Sequence, residues 1–133
     1  MRAGLVGCGR TKSSQPGPAN TLYTSSLFRK SYDYSQKNYD VTYILSAKHG
    51  LMESDKVIEP YDITPAAFLK KEATRWGAYV ARQIRDKVGN DAYLYFLAGE
   101  HYYNPILPFL RNPYQILMKH LRTNQRQRWL NEQ

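Results

Sequence analysis

Val41-Thr42-Tyr43-Ile44-Leu45-Ser46 runs directly into Ala47-Lys48-His49-Gly50. The first stretch is β-branched, aromatic and aliphatic, which suits a buried strand. The second mixes small, polar and basic residues and reads as the loop at that strand's C-terminal end. Working upstream, Leu22 to Lys37 has a helical pattern, with Leu27, Phe28 and Tyr32 on one face and Arg29, Lys30 and Asp33 turned outward. Before it, Cys8 to Asn20 is a long loop, because Pro16-Gly17-Pro18 forbids helix. Arg2 to Gly7 is the first strand. Downstream, Pro60 biases Glu59 away from helix, so Ile58 to Asp62 is extended. Thr64 is the expected N-cap and Pro65 the first residue of a helix to about Val88, closed by Gly89-Asn90. Its core stripe is Leu69, Ala73, Trp76, Val80 and Ile84. Asp91 to Ala98 gives a third strand, Gly99 to Asn104 its loop, and Pro105 to Leu110 a short helix. Tyr114 to about Leu130 reads as a final helix, with Leu117, Leu121 and Trp129 on one side. Alternating strands and helices predict a three-layer α/β fold with a short, mostly parallel sheet, as one domain over residues 1–133.

The bulk numbers narrow the setting. The chain has 133 residues, enough to bury one core. With 42% hydrophobic and 23% charged residues it falls in the globular range rather than the disordered one. No apolar run approaches the roughly 20 residues of a membrane helix, and Met1 to Gly7 does not resemble a signal peptide. One cysteine, Cys8, excludes an internal disulfide and a cysteine-based zinc site, and it fits a reducing cytoplasm. Nothing in the sequence calls for a metal or a cofactor, and the oligomeric state stays open. Lys and Arg number 19 against 11 Asp and Glu, a formal charge of +8, so polyanions and phosphorylated ligands are the natural partners. General solubility is the plainer reading of the same charge. The 12 tyrosines can stack on bases or bond phosphates, or simply serve the core.

In an open parallel sheet, ligands bind beyond the carboxyl ends of the strands. Three segments qualify: Cys8-Gly9-Arg10-Thr11-Lys12, Ser46-Ala47-Lys48-His49-Gly50 and Gly99-Glu100-His101-Tyr102-Tyr103. The first has the cations and exposed amides of an anion cradle but is no Walker motif. Its Cys8 is either a thiolate helped by Arg10 or Lys12, or a small residue packed at a strand end. In the second, Lys48 can hold a phosphate and His49 can bond a base or sugar or move a proton. His49 can equally cap the strand. Glu59 and Asp62 flank Pro60-Tyr61; either carboxylate can work at a sugar, or serve the dipole of the helix after Thr64. His101, Tyr102 and Tyr103 either close over a base or anchor the sheet. Lys119, Arg122 and Arg126 are expected to share a face of the last helix, as a phosphate-binding or a merely solvated surface.

These segments carry a resemblance. Val6-Gly7-Cys8-Gly9-Arg10-Thr11-Lys12, Leu22-Tyr23-Thr24-Ser25-Ser26-Leu27-Phe28-Arg29-Lys30, Tyr43 to Leu51 and Glu59-Pro60-Tyr61-Asp62 resemble a family of small phage and bacterial proteins of unknown function. That family is distantly similar to YaaA-type peroxide stress proteins and to a domain of archaeosine synthases. The resemblance implies a Rossmann-like core and a link to nucleic acid or modified bases. The family's pattern has a Gly-rich segment before the last helix, where this chain has Met118-Lys119-His120-Leu121-Arg122.

Three functions fit this reading. The first is an enzyme at the glycosidic bond of a base, nucleoside or nucleotide, with His49 and Glu59 as its catalytic pair. Its ligand-binding candidates are Cys8, Arg10, Thr11, Lys12, Tyr23, Ser46, Lys48, Tyr61, Asp62 and Tyr102. The second is a non-catalytic module of phage origin that binds or sequesters a nucleotide. The third is a structural DNA-binding protein using its basic helices. Polar residues gathered at strand ends favour the first two.

Overall fold

A computed structural model describes residues 1–9 and 12–133. Its sheet has five strands. β1 (Arg2–Gly7) lies at the centre, with β3 (Val41–Ser46) on one side and β6 (Tyr93–Leu97) on the other, both parallel to it. Leu5 pairs with Tyr43 across one seam and with Phe96 across the other. β7 (Tyr114–Ile116) extends the sheet in parallel beyond β6, and β4 (Gly50–Glu53) runs antiparallel beyond β3. A separate two-stranded ribbon pairs β2 (Gly17–Pro18) with β5 (Val57–Ile58). The architecture is therefore the expected three-layer α/β fold with a mostly parallel sheet.

The alternating faces of β1 define the two outer layers. Ala3 and Leu5 pack with Trp76, Val80 and Ile84 of α3 (Lys70–Val88) and with Tyr103 and Ile106 of α4 (Glu100–Ile106). Val6 and Cys8 pack on the other side with Leu22 of α1 (Ala19–Leu22), Phe28 of α2 (Ser26–Asn38) and Leu130 of α5 (Thr123–Asn131). No helix among the described residues is long and apolar enough to cross a membrane.

Several elements differ from the sequence expectation. The helix expected from Leu22 begins only at Ser26, and the short α1 lies almost wholly upstream of Leu22, starting in the stretch expected as loop. Tyr23 leaves α1 extended and bridges Lys12, and Ser25 then caps α2 by accepting the amide hydrogen of Phe28. The stretch after β3 is a tight turn rather than a loop. Gly50, at φ +71°, lets the chain fold straight back as β4. Thr64 caps nothing through its side chain; a 3-10 turn at Pro65–Ala67 intervenes, and α3 begins at Lys70 with Glu72 accepting the amide hydrogen of Leu69. Leu69 is consequently exposed and leaves the core stripe. The expected loop after β6 is helix α4. Pro105 lies inside the last turn of that helix instead of starting one; it lacks only its own bond back to the preceding turn, and the Leu107 N–H still reaches the Tyr103 carbonyl oxygen. The chain continues as a 3-10 turn at Leu107–Phe109. The long final helix is replaced by β7, a turn in which Met118 and His120 take positive φ, and the shorter α5. Lys119 and Arg122 precede α5, so they do not share a helical face with Arg126.

Candidate functional site

Parallel topology brings the ends of β1 and β3 together, and the side chains beyond them converge on Tyr61. Its hydroxyl lies 2.5 Å from Ser46 Oγ and 2.5 Å from the Tyr23 hydroxyl. Cys8 Sγ is 3.5 Å away. The Lys12 ammonium sits 4.7 Å from the Tyr61 ring centroid and that of Lys48 5.9 Å, close enough for cation–π attraction. The His49 ring meets the Tyr61 ring edge-on at 5.5 Å.

The proton order in this cluster follows from donor and acceptor counts. Ser46 Oγ accepts the amide hydrogens of Lys48 and His49, which closes the turn after β3. With both lone pairs taken, the Ser46 hydroxyl donates to Tyr61. Burial holds the Tyr61 and Tyr23 phenols well above their ordinary pKa, so both stay protonated and donate onward. Cys8 Sγ lies 3.4 Å from the Tyr102 hydroxyl, which donates to the Cys8 carbonyl oxygen. A continuous chain of hydroxyls and one thiol thus links the Ser46 turn to Tyr102 on α4. The Trp76 indole N–H fixes the Ser46 carbonyl from the other side of the sheet.

His49 is held neutral. Burial lowers its pKa below 6.5, and the Lys56 and Lys48 ammoniums lower it further. Its Nε2 is buried and has no hydrogen-bond partner among the described residues. The linkage has a definite sign. The unfolded chain takes up a proton near pH 6.5 while the folded protein resists it, so stability falls as pH drops from there towards the folded pKa. Urea unfolding at pH 7.5 and 5.5 should show a smaller loss for His49→Gln than for wild type. Equal losses in the two proteins would remove His49 from the acid sensitivity.

A second feature lies between the ends of β1 and β6. The crossovers leave the sheet here in opposite senses, from β1 through α2 to β3 and from β3 through α3 to β6. That makes it the switch point at which open α/β sheets take their ligands. A partly open cavity of about 140 Å³ lies there, walled by Cys8, Gly9, Ser31, Gly99, Met118 and Arg126. It adjoins a more open groove of about 470 Å³ that includes Ser25, Pro65, His101, Thr123 and Gln127. Cys8 and Tyr102 line both, so the hydroxyl chain ends on the cavity wall.

The sequence candidates therefore divide. Lys12, Tyr23, Ser46, Lys48, His49 and Tyr61 gather in one cluster, and Cys8 and Tyr102 join it to the cavity. Glu59 is exposed, and among the described residues it makes no hydrogen bond or ion pair. Neither Glu59 nor His49 lines the cavity or the groove. Asp62 is exposed on a separate shallow pocket with Ile63, Thr64 and Ala67. Arg10 and Thr11 lie outside the described residues. No group of three His, Cys, Asp or Glu side chains among the described residues could hold a metal ion.

A family model matches residues 4–132, from β1 through α5. The chain belongs to DUF6884, a family of unknown function. No curated protein matches it. The DUF6884 match takes in both the Tyr61 cluster and the cavity wall. Ser25 and Ser31 of this DUF6884 chain were not among the site residues expected from sequence, whereas Arg126 was named there only as part of a phosphate-binding or solvated face of the last helix. The signal for Ser25 was there, since Ser25-Ser26 before Leu27-Phe28 is a helix start. A helix begun at Leu22 concealed it. Arg126 reaches the cavity only because α5 docks against α2, a tertiary fact with no local signature.

Proposed function

We propose that this DUF6884 domain binds a nucleotide-class ligand in the crevice between β1 and β6. The observation that carries this reading is the coincidence of a cavity and groove with the sheet's switch point. The formal charge of +8 favours a phosphorylated ligand. Resemblance to a domain of archaeosine synthases points to the same ligand class. In the groove, Tyr102 and His101 offer ring surface to a base, and Thr123 and Gln127 offer hydrogen bonds.

Catalysis at a glycosidic bond is the second reading, and one observation favours it: His49 is neutral and its Nε2 is unpaired, as a proton acceptor requires. A panel of nucleosides, nucleotides and modified DNA, read by calorimetry and by mass spectrometry of the products, tests both. Binding is expected for nucleotides in preference to nucleosides. Ligand recovered unchanged throughout would eliminate catalysis and leave binding. Where product forms, Glu59→Gln should slow turnover by about a hundredfold or more while sparing affinity. Normal turnover in that variant would move the carboxylate role elsewhere. No binding by any member of the panel would overturn the nucleotide reading itself.

A further inference from the structure

The geometry points to a phosphoryl-binding subsite in the smaller cavity, built from Ser31, Arg126 and the first turn of α2. This inference rests on the nucleotide reading and fixes which end of the ligand enters first. Ser31 lies just over a turn into α2, is only 3% exposed, and lines the cavity. Among the described residues its hydroxyl makes no hydrogen bond. Among the described residues its oxygen is not one of the fully buried unpaired polar atoms, so the hydroxyl opens onto the cavity rather than into the packed core. A ligand oxygen in the cavity would supply the missing partner.

Arg126 provides the charge. Its Nε donates to the Leu121 carbonyl oxygen at 2.9 Å, which anchors the guanidinium plane. The two terminal nitrogens lie beside Gly99, 3.5 and 3.9 Å from where a Cβ would stand. No carboxylate lines the cavity, and among the described residues none pairs with Arg126. Also on the cavity wall, Ser25 caps the Phe28 amide, so the N–H groups of Ser26 and Leu27 have no intrahelical acceptor. Ser25 and Leu27 both line the cavity, and the positive end of the 13-residue α2 dipole faces it. A guanidinium fork, a hydroxyl and free amides suit a tetrahedral anion with several acceptor oxygens. The larger groove then receives the rest of the ligand, outward past Tyr102.

The test uses the full chain with inorganic phosphate, pyrophosphate and matched sets of nucleoside, monophosphate and diphosphate. Binding is read by phosphorus NMR titration and by the shift in melting temperature. Phosphate and pyrophosphate are expected to bind wild type. Arg126→Gln should weaken pyrophosphate about ten- to a hundredfold, and Ser31→Ala about three- to tenfold. Arg126→Lys should recover part of the loss, which separates charge from folding, and circular dichroism melts verify each variant. If nucleotides and nucleosides bind equally and phosphate not at all, the subsite is wrong and the nucleotide reading survives. If phosphate binds but no nucleotide does, the subsite survives and the nucleotide reading falls. If the variants bind pyrophosphate as wild type does, the anion site lies elsewhere and the assignment is overturned.

Discussion

Gly77→Val is expected to lose about 3 kcal/mol or more of stability, and Gly77→Ala a smaller part of that. Gly77 is buried in the middle of α3, where α4 crosses it. A Cβ there would stand 1.9 Å from the Pro105 carbonyl oxygen and 2.4 Å from its carbon. Both obstacles are backbone, so no rotamer change relieves them. The helices must separate, and the apolar surface shared by Val80, Tyr103 and Ile106 is partly lost. Alanine's better helix propensity, worth about 1 kcal/mol, offsets only a fraction. A functional effect should accompany the loss, because α4 carries Tyr102 to Cys8 at the cavity wall. Guanidinium unfolding of the two variants beside wild type provides the measurement. A Gly77→Ala protein within 0.5 kcal/mol of wild type would show that α4 shifts freely, and the rigid α3–α4 contact would be wrong.

That contact shows where sequence reasoning stops. β1, β3 and β6 were legible because they are covered on both faces and read as continuous apolar runs. β7 was not, since Tyr114-Gln115-Ile116 is a largely exposed edge of three residues with no pattern of its own. It is a strand because β6 presents an unpaired edge beside it. β4 was hidden for a similar reason, as only the positive φ of Gly50 turns its four residues back along β3. α4 is too short for a helical period to stand out, and its Pro105 suggests a boundary on the wrong side. At the site, Lys12, Ser46, Lys48 and His49 were readable because parallel strands must bring their loops together. Tyr61 at their centre was one candidate among many. Ser31 and Arg126 meet only through the packing of α2, α5 and the turn at Met118, which no local pattern encodes.

Tyr61→Ala should be the most damaging change in the polar cluster, and Tyr61→Phe should separate its two contributions. The ring is packed against Tyr23 and His49 and lies under the Lys12 and Lys48 ammoniums. Removing it costs packing and two cation–π contacts, about 3 kcal/mol for a part-buried aromatic. Phenylalanine keeps the ring and deletes only the hydroxyl. The Ser46 hydroxyl then loses its acceptor and Tyr23 its partner, both in a desolvated setting, for about 1–3 kcal/mol. Ser46 still accepts the Lys48 and His49 amides, so the turn after β3 should persist. A double-mutant cycle of Tyr61→Phe with Ser46→Ala measures their coupling, expected between about 0.5 and 3 kcal/mol for neighbours in one network. Ser46→Ala alone should cost more than its share of that coupling, because it also strips two amides of their acceptor. A coupling near zero would mean that the Ser46–Tyr61 hydrogen bond contributes nothing to stability, and the chain from the turn to the cavity would be broken at its first link.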